Sequence, residues 1–197
     1  MKKLFSLIIL LTASLTNIDH ALSISPDVFI QSTVNRASNI LSKDISKDEK
    51  MSKLKLIAKE TVDIRGIGIY SLGSAKKNLN EIEEKNYSDL FEEYFLKSFA
   101  SRLAEYTNPE IEVKNKEVLN KNYTIVNSVL VSTAERPEIN IDWRVYTKNP
   151  NNPLIRDLII EGLSLARTQR EEFSSILNSN DGDINALFKV LNDFSKN

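Results

Sequence analysis

The spacing of apolar residues changes twice along this chain, and those changes limit the fold more than any other feature. As far as Tyr106, apolar residues recur every three or four positions; beyond Asn108-Pro109 they recur every two; past Gly162 the helical spacing returns. Ser25-Pro26 pairs an N-cap with a Pro at the first helical position, and Ile30, Val34, Ala37 and Leu41 follow on one face. Ser46 and Glu49 form a capping box that opens a second helix, with Met51, Leu54, Ile57 and Ala58 inward. Asp63 is placed to cap a short third helix through Ile64, Ile67 and Tyr70, ending at Leu72-Gly73. The longest stripe runs from about Leu79 to Tyr106 and carries Tyr87, Leu90, Phe91, Tyr94, Phe95, Phe99 and Leu103.

The period-two stretch predicts four strands. Ile111 and Val113 alternate with charged residues. Tyr123, Ile125, Val129 and Val131 share one parity. Ile139, Ile141, Trp143 and Val145 alternate with Asn140, Asp142, Arg144 and Tyr146, as a half-buried strand requires. Leu154 to Glu161 is the fourth, and Gly162 marks its exit toward helices at about 163–177 and 183–193. Consecutive strands with short links imply an antiparallel meander. The expectation is therefore an α+β fold: a twisted four-stranded antiparallel sheet with helices packed on one face.

The first residues read as an export signal. Lys2 and Lys3 precede an apolar run, Leu4 to Leu15, that is too short to cross a bilayer comfortably. Ala21-Leu22-Ser23 supplies small residues at the cleavage positions, so residues 1–23 are expected to be removed and 24–197 to form one domain. The chain has no Cys, and its one His, His20, leaves with the signal. A mature chain without His or Cys has no Ser-His-Asp triad, no Cys-His dyad, and no His or Cys metal ligands. Lys plus Arg number 26 against 27 for Asp plus Glu, so no overall field favours nucleic acid.

Motifs for catalysis are weak. Gly66-Ile67-Gly68 begins like a dinucleotide fingerprint, but no strand precedes it and Ser71 takes the third Gly position. Asp157 and Glu161 are four residues apart on a strand, or ~13 Å, too far for a glycosidase pair at ~5–9.5 Å. Arg144, Arg156, Arg167 and Arg170 are candidates for an anion or for pairing with these acids. The lysines of 43–59 are interleaved with acids, as on a solvated helix face. The aromatic stripe of the long helix suits either a packed core or the wall of an apolar ligand cavity, and periodicity alone does not separate these.

The last third carries a specific pattern: Ile141-Asp142-Trp143-Arg144-Val145-Tyr146, then the unbroken run from Ile155-Arg156-Asp157 through Gly162-Leu163-Ser164 to Arg170-Glu171-Glu172-Phe173, then Gly182-Asp183-Ile184. With Leu72-Gly73 and the Leu90 to Tyr106 aromatic series, this resembles the MlaC, or toluene-tolerance, family of periplasmic phospholipid carriers. The resemblance implies a soluble, exported carrier whose sheet and helices enclose an apolar lipid cavity, with the head group near solvent. It implies phospholipid as cargo and two docking partners: an outer-membrane lipoprotein–porin complex and an inner-membrane ABC transporter with an MCE-type subunit. Such shuttling would maintain outer-membrane lipid asymmetry. No cofactor is implied, and no enzymatic activity.

Combining strand parity with the helical stripe, the expected lining is Ile67, Leu72, Phe91, Phe95, Phe99, Val129, Val131, Ile141, Trp143, Val145, Leu158 and Ile160. Ile155 and Ile159 are apolar on the other parity of the fourth strand and leave its inward face open. Two acyl chains offer on the order of 30 methylenes at ~0.8 kcal/mol each, ample gross energy for a cavity to capture. Net binding saturates near ~18–21 kcal/mol, so release of such a ligand needs a partner. The rival readings are a small cavity enzyme, isomerase-like or dehydratase-like, with Asp142 or Asp157 as base, and an adaptor with a dry core.

Overall fold

A computed structural model describes residues 23–196. The signal segment and its cleavage site are thus essentially outside the described residues. Six α-helices, a 3-10 segment and five strands follow in chain order: α1 (Pro26–Leu41), α2 (Lys47–Thr61), α3 (Ile64–Leu72), the 3-10 segment (Gly73–Asn78), α4 (Glu81–Leu103), β1 (Ile111–Asn120), β2 (Tyr123–Leu130), β3 (Ile139–Tyr146), β4 (Leu154–Ile160), β5 (Leu163–Ser164), α5 (Leu165–Asn178) and α6 (Ile184–Lys196).

The helix starts follow from their caps. Ser46 Oγ accepts from Glu49 N at 3.2 Å, and Asp63 Oδ1 accepts from Gly66 N at 2.9 Å. Asn80 opens α4: its Oδ1 accepts from Ile82 N and Glu83 N, while Glu83 Oε2 accepts from Asn80 N at 2.9 Å. This reciprocal box satisfies donors that a helix start leaves free, and it places the start of α4 two residues later than the apolar stripe alone suggests.

The sheet is an antiparallel meander in the order β1-β2-β3-β4-β5. The fifth strand corrects the expected count of four. Glu161 and Gly162 both take positive φ, 48° and 81°. That pair forms a two-residue reversal of the kind that matches strand twist. The chain therefore turns back at Gly162 instead of leaving, and Leu163 and Ser164 pair with Ile160 and Ile159.

Register decides which side chains face the helices. Thr124 pairs with Val145, Val126 with Trp143, Ser128 with Ile141 and Leu130 with Ile139. Val126 and Val145 are fully buried in the core against α1, α3 and α4. The helix-facing parity of β2 is therefore Thr124, Val126, Ser128 and Leu130, not the apolar parity of Ile125 and Val129. Val129 pairs with Asn140 and lies on the opposite face; Val131 lies past the strand end, bonded to Glu110 O through its N–H at 2.9 Å. The expectation failed because the inward face of β2 carries two hydroxyls. Ser128 Oγ donates to Ile141 O and accepts from Trp143 Nε1, both at 2.9 Å, so burying it leaves no polar group unpaired.

On β4 the two apolar parities both point inward, one after the other. The register with β3 shifts between Arg144 and Val145, whose partners are Asp157 and Ile155. The extra residue is Arg156. This bulge puts Ile155 on the face of Val145, and puts Leu158 and Ile160 on the face of Trp143 and Ile141.

Candidate functional site: the helix–sheet interface

The interface between α4 and the sheet has two unlike ends. At one, Tyr87, Phe91 and Phe173 are 1–2 % exposed and meet at 5.7–6.5 Å between ring centres, two of the three pairs edge-on. Edge-on rings at such distances are a favourable aromatic geometry. Ile67, Leu72, Val126 and Val145 complete this cluster. Tyr87 Oη donates to Gly68 O at 2.9 Å, and burial pushes its pKa up. A Cβ on Gly68 would stand 2.7 Å from the Phe91 ring, so the glycine is what lets α3 and α4 approach. This end is close-packed protein interior.

At the other end the second half of α4 presents Phe95 and Phe99, whose rings stack at 5.8 Å and 10°. Both are only half-buried and rest against the border of the core, as does Trp143. On the same sheet face Leu158 and Ile160 are half-buried and Ile141 is 7 % exposed, and none of the three joins a packed hydrophobic cluster. The elements explain this. α1 lies close along β1 and β2, and α3 and α5 close on β4, whereas α4 stacks on α2, α3 and α6.

The expected lining residues thus fall into three groups. Ile67, Leu72, Phe91 and Val145 are packed core. Phe95, Phe99 and Trp143 are half-buried at the border of the core, and Ile141, Leu158 and Ile160 lie on the Trp143 face of the sheet outside the buried clusters; these six make up the less buried end. Val129 and Val131 are not brought to either. Leu130, on the same inward face, was left out because the parity assigned to β2 pointed away from it; its partner Ile139 shares the parity of Ile141 and was left out of the expected lining all the same. Two surface hollows, about 580 and 520 Å³, lie elsewhere and border none of the expected lining residues. The first lies over α5 between Tyr70 and Ser179, the second along the outer face of α1.

The charged residues singled out by sequence make structural bonds. Asp157, 5 % exposed, accepts from Ala166 N at 3.0 Å and from Ser164 Oγ at 2.7 Å, so both carboxylate oxygens serve the start of α5. Asp142 Oδ1 accepts from Asn127 Nδ2 at 2.7 Å. Glu161 accepts from Asn140 N across the sheet. Arg156 pairs with Asp63 at 2.6 Å, donates to Tyr123 Oη at 2.6 Å and lies 3.7 Å from the Tyr146 ring centre. Burial works against its charge, but these hydrogen bonds outweigh it and raise its pKa. Arg170 stacks over Tyr70 at 5.1 Å and closes on Gly73, whose φ of +57° suits glycine. Arg144 projects from the face opposite Trp143, beside Asp157. Among the described residues no acidic or His cluster is arranged to hold a metal, and no helix is long and apolar enough to cross a membrane.

Comparison with known proteins bears on this interface. A solved structure of a phospholipid-binding protein from Ralstonia solanacearum, in complex with a phospholipid, superposes with a TM-score of 0.73 at 17 % identity, covering 88 % of this chain and 98 % of that one. At that identity the likeness establishes a shared fold. No curated relative matches the chain by sequence. The profile of the MlaC protein family matches residues 31–193, from within α1 to within α6, and this chain belongs to the MlaC family.

Proposed function

We propose that this protein is a phospholipid carrier and not an enzyme, and that it holds acyl chains between α4 and the inward face of β3 and β4. The observation that carries the reading is an apolar strip that stays partly exposed at one end of the interface. Phe95, Phe99 and Trp143 are large rings left half-buried where they pack on the border of the core, and Ile141, Leu158 and Ile160, on the sheet face of Trp143, join no buried hydrophobic cluster. Apolar side chains in a protein interior are normally covered on all sides, and a strip that is not is suited to a second apolar partner. Family membership and the phospholipid held by the Ralstonia protein of the same fold support this choice of ligand.

In this reading residues 1–23 direct export and are removed after Ser23, and the domain works in the periplasm. It carries lipid between an outer-membrane lipoprotein–porin complex and an inner-membrane ABC transporter with an MCE-type subunit. Tails account for affinity, at ~0.8 kcal/mol per buried methylene, and docking opens the protein for release. No acid or base is needed, and Asp142 and Asp157 are engaged in structural hydrogen bonds.

The test is organic extraction and mass spectrometry of protein purified from a periplasmic fraction. Near-stoichiometric phospholipid and an N-terminus at Ile24 are expected. Lipid-free protein from that fraction would remove the carrier reading.

A further inference from the structure

The apolar strip ends at a rim built by two connections. The segment between α4 and β1 and the segment between β2 and β3 are joined there by Val131 N–H donating to Glu110 O at 2.9 Å. The second segment is held in a turn by paired bonds between Thr133 and Arg136, at 2.8 and 3.4 Å. It directly follows Leu130 and precedes Ile139, two residues of the inward face that pair with each other. The rim therefore adjoins the inward face of the sheet at its Leu130–Ile139 end.

Arg136 is the guanidinium of this rim. Its plane approaches the Tyr106 ring, 5.7 Å from the centroid, and Nη2 donates to Val131 O at 3.0 Å. Nε is buried and has no hydrogen-bond partner among the described residues, and no carboxylate lies within 4.0 Å of the group. A half-buried cation with one hydrogen bond and an orphaned N–H is costly unless an anion completes it. Arg144, which also carries a buried Nε without a partner, projects from the other sheet face, away from the strip. Arg136, in the segment that follows Leu130 and precedes Ile139, is the one of the two that adjoins the inward face.

We infer that Arg136 binds the phosphate of a phospholipid whose tails occupy the strip, the Nε–H and a neighbouring Nη–H donating to two phosphate oxygens. The inference rests on the carrier reading above. Guanidinium geometry suits this pairing, and the Tyr106 ring and Val131 carbonyl pre-orient the group. The chemistry is that of any phosphate oxyanion, so a free phosphate is the alternative source.

The experiment uses delipidated mature protein and three probes: pyrene-labelled phosphatidylglycerol, pyrene-labelled diacylglycerol of the same chains, and inorganic phosphate. Arg136→Gln is expected to weaken phosphatidylglycerol binding about tenfold or more and to leave diacylglycerol unchanged, with Arg136→Lys between. Equal weakening for both lipids, or for neither, would overturn the assignment. A second measurement needs no variant. In the unaltered protein the Arg136 Nε–H resonance is expected to shift on loading with phosphatidylglycerol, and not with diacylglycerol or millimolar inorganic phosphate. A shift with inorganic phosphate that phosphatidylglycerol does not displace assigns the site to a free anion and overturns the headgroup role. If the unaltered protein binds neither lipid, it is the carrier reading that fails, and this site falls with it.

Discussion

Phe91 and Phe99 sit two turns apart on the same face of α4, yet they live in different materials. Phe91 is 2 % exposed, wedged between Tyr87, Phe173 and Gly68. Phe99 stacks on Phe95 and stays half-buried. Hydrophobicity is the same in both places; burial is not. A close-packed end gives the domain its cohesion, and a partly exposed end provides apolar surface that a ligand can cover. For the carrier proposed above, this difference separates stability and binding capacity to two ends of one interface.

The largest effect separating the two ends is expected from a charge. Val145→Lys puts an ammonium where the parent residue has no exposure, and the cost of several kcal/mol is expected to abolish folding. Circular dichroism checks this; a cooperative melt near the parent temperature would show that the packed end is not packed. The aromatic pair comes next. Phe91→Ala is expected to cost about 3–5 kcal/mol by opening a cavity among fixed rings. Phe99→Ala removes less buried area, so roughly 1–1.5 kcal/mol is expected, together with a clear fall in phospholipid per protein. Urea unfolding and lipid phosphorus analysis of both variants test the contrast. Equal destabilisation, with equal lipid content, would make the two ends one core.

How far this division was legible in the sequence depends on the link considered. The helix–strand–helix order was legible from period alone, because Ile141, Trp143 and Val145 alternate with polar residues and the α4 stripe does not. The stripe could not reveal that Phe91 is fully buried and Phe99 only half-buried, since period reports direction and not what covers the far side. β2 was read backwards, because Thr124 and Ser128 look outward-facing until Ser128 is seen bonded to Trp143 Nε1. The Arg156 bulge and the Glu161-Gly162 reversal were also hidden: each depends on register between strands, which one strand's composition does not carry. Arg136 went unnoticed because its meaning lies in an unpaired nitrogen.

A smaller effect tests whether the buried acid belongs to the scaffold. Asp157→Asn keeps the shape but weakens the acceptor at the start of α5, where the carboxylate meets Ala166 N–H and Ser164 Oγ–H. A cost of about 1–2 kcal/mol is expected, with lipid content following the folded fraction. Loss of lipid from a variant as stable as the parent would instead tie Asp157 to the binding end.

The smallest effect is electrostatic and lies far from the strip, where the first turn of α1 meets β1. Lys116 Nζ donates to Asp27 Oδ1 at 2.6 Å, and with Ser25 it lowers the Asp27 pKa from 3.8 to about 2 against a small opposing burial cost. The unfolded chain therefore binds more protons than the folded one between those values. The stabilisation is complete above about pH 4 and is lost as pH falls toward 2. Both side chains are more than a third exposed, 39 % and 36 %, so solvent screening holds the contribution to a few tenths of a kcal/mol, less at high salt. Asp27→Asn is thus expected to lower the urea midpoint slightly at pH 6 and low salt, with the difference from the parent vanishing near pH 2. Phospholipid per protein should not change, because this contact touches neither Phe99 nor Trp143. If neutralising Asp27 released lipid at pH 6 while leaving the urea midpoint alone, binding would not be confined to the half-buried end around Phe99 and Trp143.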